Sequence, residues 1–181
     1  NHIGVLRQLL SHSKTQEAIQ YLDELQMPVK EMTDTVWTGD ETVDYLINSK
    51  AVIAEENGIK YQVQVEFPQH TNIRSADLCA ILGNLLDNAI EAAQNSKEKY
   101  LGIDIRTKRG LLFITIENSY DGSIQLHKNE IVTSRKNKES HGIGLKNVKM
   151  IVEEQGGEMQ VIWVNNRFVV KVMLYLSALN E

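Results

Sequence analysis

Leu82–Ala93 reads LGNLLDNAIEAA, and how its apolar and amide residues are spaced decides the fold. Leu78, Ile81, Leu82, Leu85, Leu86, Ala89, Ile90 and Ala93 recur at helical spacing and form a stripe that needs a core to cover it. On another face Asn84, Asn88, Glu91 and Asn95 follow at steps of four, three and four, so they stand one above the other. Asparagine is a poor helix former, because its side chain competes for backbone hydrogen bonds. A row of such residues beside a strong apolar stripe is either a solvated face or a working one. An amide oxygen is a neutral hard ligand suited to Mg²⁺, and the amide NH2 can donate to a phosphate.

Working outward, Ser75 is the expected N-cap of this helix. Ile59–Phe67 (IKYQVQVEF), Leu101–Thr107 and Leu111–Glu117 alternate apolar and polar residues and are expected strands. Lys108-Arg109-Gly110 makes a hairpin turn between the last two. Glu158–Val164 and Arg167–Leu176 alternate around Asn165-Asn166, a second tight turn. Glu41–Glu56 has helical periodicity and stops at Asn57-Gly58. Three helices and five strands give an α+β fold: a two-layer α/β sandwich with a mixed, largely antiparallel five-stranded sheet and three helices on one face.

Over Ser119–His141 regularity disappears. Ordinary connections run about 4–6 residues, and much longer ones tend to be functional covers or disordered. This one carries Lys128, Arg135, Lys136 and Lys138, so it reads either as a solvated insertion or as a lid whose cations reach an anion. It runs into His141-Gly142-Ile143-Gly144-Leu145-Lys146-Asn147, followed by a helix bearing Leu145, Val148, Ile151 and Val152 and ended by Gly156-Gly157. Two glycines just ahead of a helix let backbone N–H groups approach a phosphate, which the helix N-terminus also favours. The third glycine of a dinucleotide fingerprint is missing, no strand directly precedes the pair, and the chain has no Walker A pattern. A phosphate site here is therefore neither Rossmann nor P-loop.

Composition is that of an ordinary globular protein: 181 residues, 42% hydrophobic, 24% charged. A net charge of -5 and 6% aromatic content argue against nucleic acid as a partner. No apolar run approaches the roughly 20 residues that span a bilayer. The single cysteine, Cys79, excludes an internal disulfide and a thiolate-cage metal site, and reads as an inert thiol in the apolar helix.

Residues 1–27 form an expected helical arm. Ile3, Leu6, Leu9 and Leu10 make one stripe, Ala18, Ile19, Leu22 and Leu25 another, with a break at Ser11–Thr15 where Thr15 could cap a second helix. Such an arm cannot bury its stripes alone, so a partner helix is expected, from a second copy of the chain. Residues 29–40 read as a linker.

In order, the helix carrying NLLDNAIEAA, the strand ending in Ile116-Glu117-Asn118 and the connection closing on HGIGLKNV resemble the nucleotide-binding (Bergerat-fold) domain of the GHKL ATPase/kinase superfamily. The likeness is greatest to sensor histidine kinases of the peptide-quorum-sensing type. It covers about residues 36–181, and the arm resembles the dimerisation helices of that group. The resemblance implies an ATP-binding catalytic domain over 37–181, with 1–36 a remnant of the dimerisation and phosphoacceptor helices plus linker. It implies ATP and Mg²⁺ as ligands, with Asn88 holding the metal against the triphosphate and Asn84 lining the phosphate region. Gly142 and Gly144 would cradle phosphates beside the helix opened by Leu145, and Lys146, or Lys138 in the lid, would neutralise their charge. Most relatives carry an Asp that accepts the adenine amino proton; Asn118 stands there, and the first glycine of that box is replaced. An amide oxygen still accepts that bond, more weakly than a carboxylate.

The implied activity is protein-histidine kinase. The γ-phosphate would pass to a histidine upstream of residue 1, not to His2, and then to a response regulator. The chain is thus expected to bind nucleotide without autophosphorylating, as the cytoplasmic portion of a bacterial protein whose membrane anchor is a missing N-terminal sensor region. A GHKL-type ATPase would need a glutamate base where Asn84 stands. A dimerising interaction module of the same fold, independent of nucleotide, is the other alternative.

Overall fold

The computed structural model describes residues 2–24, 35–121, 124–127, 130–133 and 141–177. The chain divides into two compact units, Asn1–Met32 and Thr33–Glu181. In the first, α1 (His2–Ser11) and α2 (Thr15–Glu24) are joined by a tight turn. Ser13 takes a positive φ of 56°, and the Ser13 and Lys14 N–H groups close back on Leu10 and Leu9, each at 3.0 Å, a helix end of Schellman type built on serine instead of glycine. Thr15 is the first residue of α2, not its cap, since the Lys14 carbonyl already accepts from Ala18 N. Val5, Leu10 and Ile19 stay exposed.

The second unit runs α3 (Glu41–Glu56), β1 (Lys60–Glu66), α4 (Ser75–Gln94), β2 (Tyr100–Lys108), β3 (Leu111–Ser119), β4 (Ile124–His127), β5 (Glu130–Thr133), α5 (His141–Glu154), β6 (Glu158–Val164) and β7 (Arg167–Tyr175). The main sheet has the order β1-β2-β3-β7-β6. Only β1–β2 is parallel; the other pairs are antiparallel. The fold is thus the expected α+β sandwich. Both hairpin turns follow from sequence: Arg109-Gly110 and Asn165-Asn166 each take positive φ at both positions, the conformation that matches strand twist in two-residue turns. Alternate residues of β3, namely Leu112, Ile114 and Ile116, face the helices and are buried with Val170, Val172 and Leu174 of β7. Against them lie Leu78, Ile81, Leu82, Leu85, Leu86 and Ala89, the apolar stripe of α4. Cys79 is half-buried at the edge of this core; burial, then the charge of Asp40, raises its thiol pKa and keeps it protonated.

Three further expectations are corrected. The connection after β3 contains a small two-stranded sheet, β4–β5, where no regular structure was expected; strands of four residues are too short to show a period. Ser75 is not the N-cap of α4. That position belongs to Arg74, which makes no side-chain capping bond, while the Ser75 hydroxyl is spent on Asp40. Gly142 and Gly144 lie inside the first turn of α5, not ahead of it.

The stretch read as linker is partly built into the domain. The buried Asp44 carboxylate accepts from Thr38 N and Thr38 Oγ1, both at 2.7 Å, and from Gly39 N at 3.1 Å. Trp37 Nε1 donates to the buried Asn48 at 2.8 Å. Asp40 caps α3 through Thr42 N and Val43 N and also accepts from Ser75 at the start of α4. The Ser75 hydroxyl first, then the Val43 N–H, hold the Asp40 carboxyl below its ordinary value of 3.8. A carboxyl with a depressed folded-state pKa stabilises above its unfolded pKa and loses that contribution as pH falls through the folded one. Stability should therefore drop as acid is added below about pH 4, and Asp40→Asn should flatten that part of the profile in thermal melts; an unchanged acid limb would refute the role.

Candidate functional site

The amide row of α4 meets the first turn of α5. A β-carbon at Gly144 would lie 3.1 Å from Asn84 Oδ1 and 3.2 Å from Asn88 Nδ2. Both contacts are tighter than ordinary packing, so glycine is what lets the two helices approach here. Asn84 Nδ2 donates to Ala80 O at 2.7 Å, which fixes the amide and leaves its oxygen toward Gly144. Asn88 Nδ2 is buried and has no hydrogen-bond partner among the described residues. The row thus holds one amide tied to its own helix and one whose donor is unsatisfied. Glu91, expected in the same line, is half-buried, and Asn95 is the C-cap of α4, its side chain turned back to Glu91 O.

Asn118 lies at the C-terminal end of β3, between Leu101 of β2 and Phe168 of β7. It shares the helix-facing side with Ile114 and Ile116 and is 2% exposed. Its Nδ2 donates to the Ser119 carbonyl at 3.0 Å, so the amide oxygen is the edge left to accept. Asp121, the other acceptor of this segment, is exposed and takes Lys97 N at 2.7 Å; it clips a turn instead of facing the helices. Since α4 packs across β2 and β3 while α5 packs on α4, the strand-end amide and the amide row belong to one face of the sheet.

The remaining expected residues are placed as follows. Leu145 is half-buried against the core, and Lys146 is exposed in the opening turns of α5. Gly142 is in the first turn of α5. Lys138 falls outside the described residues, as do Lys128, Arg135 and Lys136 of the expected lid. On its opposite face the sheet has a depression lined by residues such as Gln64, Asp104, Arg106, Thr115 and Lys171, which none of the described site residues borders. Sequence reading missed the supports behind the site. Gln155 Nε2 donates to Asp77 Oδ2 at 2.7 Å, and Arg74 grips the same buried carboxylate through two bonds; together they lock the end of α5 to the start of α4. A residue pair so distant in sequence leaves no local signal.

The chain is also similar to known proteins in sequence and in fold. The chain is similar to a probable C4-dicarboxylate sensor kinase of Halalkalibacterium halodurans, 23% identical over 171 residues, covering 89% of this chain and 32% of that protein. It therefore spans about a third of that relative's length. Among solved structures, the catalytic domain of histidine kinase ThkA superposes with a TM-score of 0.59 at 18% identity, covering 81% of this chain and 98% of that one. Full-length ShkA in complex with AMPPNP gives 0.58 at 15% identity over 82% and 32%. The Acinetobacter baumannii histidine kinase AdeS gives 0.55 at 12% identity over 98% and 96%. These likenesses are to the fold. A family model described as GHKL domain matches residues 73–175, from just before α4 to the end of β7, and by that match over more than half its length the chain belongs to the GHKL family.

Proposed function

We propose that this chain is the ATP-binding catalytic portion of a sensor histidine kinase. One observation carries the reading: the buried Asn88 Nδ2, without a hydrogen-bond partner among the described residues, facing the turn at Gly144. An unsatisfied buried donor costs about 1–3 kcal/mol, and a phosphate oxygen arriving at the α5 end of the row would relieve it. The Asn88 oxygen is a hard neutral ligand, and Mg²⁺ is commonly held by one or two protein oxygens with phosphate and water completing the shell, so the donor set fits. When bound, the cation would neutralise part of the triphosphate charge.

The rest of the work is positioning. The first turn of α5, stripped of side chains at Gly142 and Gly144, offers backbone N–H groups and the positive end of a helix dipole to phosphate. Leu145 seats that turn on the core, and Lys146 adds positive charge there; Lys138, outside the described residues, is the other cation proposed to neutralise phosphate. Asn118 accepts from the adenine amino group. Asn84 stands where a hydrolytic relative needs a base, and an amide cannot take a proton from water; this favours transfer of the γ-phosphate to another nucleophile. That nucleophile is a histidine on helices preceding the catalytic unit, and the phosphoryl group then goes to a response regulator. Phosphoryl transfer of this kind asks for alignment and charge neutralisation more than covalent chemistry. The bared Val5, Leu10 and Ile19 of residues 1–27 fit pairing with a second copy. Among the described residues no helix is long and apolar enough to cross a membrane; the chain is read as the cytoplasmic part of a protein anchored elsewhere, in keeping with the sensor-kinase relative.

The test is a thermal melt with and without Mg-ATP. Ligand that binds only the folded state raises Tm. The native chain should show a rise that Asn88→Ala reduces by the equivalent of about tenfold in affinity, or about 1.4 kcal/mol. No rise in the native chain at millimolar nucleotide would leave the nucleotide-independent interaction module as the better reading.

A further inference from the structure

Asn118 is held by more than its own strand. The next residue, Ser119, is fully buried, and Ser96 in the turn that follows α4 is buried too. Their hydroxyl oxygens are 2.6 Å apart. Ser96 Oγ also lies 2.9 Å from Ala93 O in the last turn of α4 and takes Lys99 N at 3.1 Å. Ser119 Oγ takes Tyr100 N at 2.8 Å and also lies 3.3 Å from Tyr100 O. Each hydroxyl has one proton and two lone pairs, and the arrangement that makes the shorter contacts has Ser96 donating to Ala93 O and Ser119 donating to Ser96, in preference to the longer Tyr100 O. The Ser119 carbonyl meanwhile accepts from Asn118 Nδ2. An unbroken chain of bonds therefore runs from the amide-bearing helix, through two buried hydroxyls, to the backbone group that orients the Asn118 carboxamide.

We infer that the Ser96–Ser119 hydroxyl pair is a specificity-setting positioning device: it ties the strand end carrying Asn118 to the helix carrying Asn84 and Asn88, and keeps the Asn118 oxygen presented as a hydrogen-bond acceptor. This rests on the reading of Asn118 as the base contact. An acceptor in that place suits the exocyclic amine of adenine and opposes the carbonyl that guanine has at the same ring position. With the hydroxyl pair cut, the strand end that carries the Ser119 carbonyl is held less firmly, and the carboxamide can turn over and offer its NH2 instead, which would cost discrimination between purines more than it costs binding of phosphates.

The experiment measures dissociation constants for Mg-ATP and Mg-GTP by calorimetry on the native chain, Ser119→Ala and Ser96→Ala. The native chain should prefer ATP, and each variant should lose about tenfold of that preference, chiefly through weaker ATP binding. A merely structural role would lower Tm and weaken both nucleotides alike, leaving the ratio unchanged, and that result overturns the inference. Should Ser119→Ala not fold, Ser96→Ala cuts the same chain without touching the strand. A native chain that binds both nucleotides equally also overturns the inference. One that binds neither overturns the nucleotide reading, and this inference with it.

Discussion

Gly144→Val is expected to weaken Mg-ATP binding by about a hundredfold or more, or about 2.7 kcal/mol, while the protein still folds cooperatively. A single β-carbon there already comes within 3.1–3.2 Å of two amide ends; the γ-methyl groups of valine must displace them. Asn84 cannot swing aside without breaking its bond to Ala80 O, and Asn88 can do so only by leaving the row. The core should be spared, because among the described side chains of α5 the buried ones begin at Val148, and Gly144 has no positive φ that would strain a branched residue. Gly144→Ala should fall between the two. Calorimetric titration gives the affinity, and a melt of the same sample reports the fold. A valine variant that folds and binds as the native chain does would detach the opening of α5 from the phosphate site.

How much of this could be read from the sequence differs by kind of interaction. What depends on local periodicity or on turn chemistry was legible. The α4 stripe, the alternating strands and the Asn165-Asn166 turn each carry their structural reason in adjacent residues. The amide row was legible too, since steps of three and four on a helix are geometric. That Asn84 would spend its NH2 on its own backbone, leaving Asn88 as the unsatisfied member, was not: helical spacing aligns side chains but does not choose their rotamers. Ser75 shows the competition at a helix start, where a hydroxyl suited to capping was drawn instead to a carboxylate 35 positions earlier. Ser96 and Ser119 escaped notice for a related reason. A buried hydroxyl pair is recognisable only when the two strangers in sequence have been brought together, and each alone is an ordinary turn or strand-end serine.

The same limit applies to Gly156-Gly157, read only as a helix stop, yet the two glycines are there for different reasons, and this yields the second large expected effect. Gly157→Ala should destabilise the catalytic unit by about 3 kcal/mol, lowering Tm by roughly 6–12 °C, whereas Gly156→Ala should cost only about 1 kcal/mol. Together they end α5 with a Schellman pair, Gly156 N on Glu153 O at 2.9 Å and Gly157 N on Val152 O at 2.8 Å. Gly156 is the left-handed residue, φ 71°, but has open space around it. Gly157 has no such φ; its β-carbon would lie 2.3 Å from Met173 O, 2.8 Å from Leu174 Cδ2 and 3.2 Å from Val152 Cγ1. Met173 O is backbone of β7, hydrogen-bonded between β3 and β6, and Leu174 is fully buried, so neither can retreat. If backbone conformation governed this corner, the order of the two variants in chemical or thermal unfolding would be reversed. If contact with β7 governs it, Gly157 is the point where α5 is pinned to the sheet. With Gln155 held by Asp77 just beside it, that pin sets the line along which the opposite end of α5 is delivered onto Asn84 and Asn88.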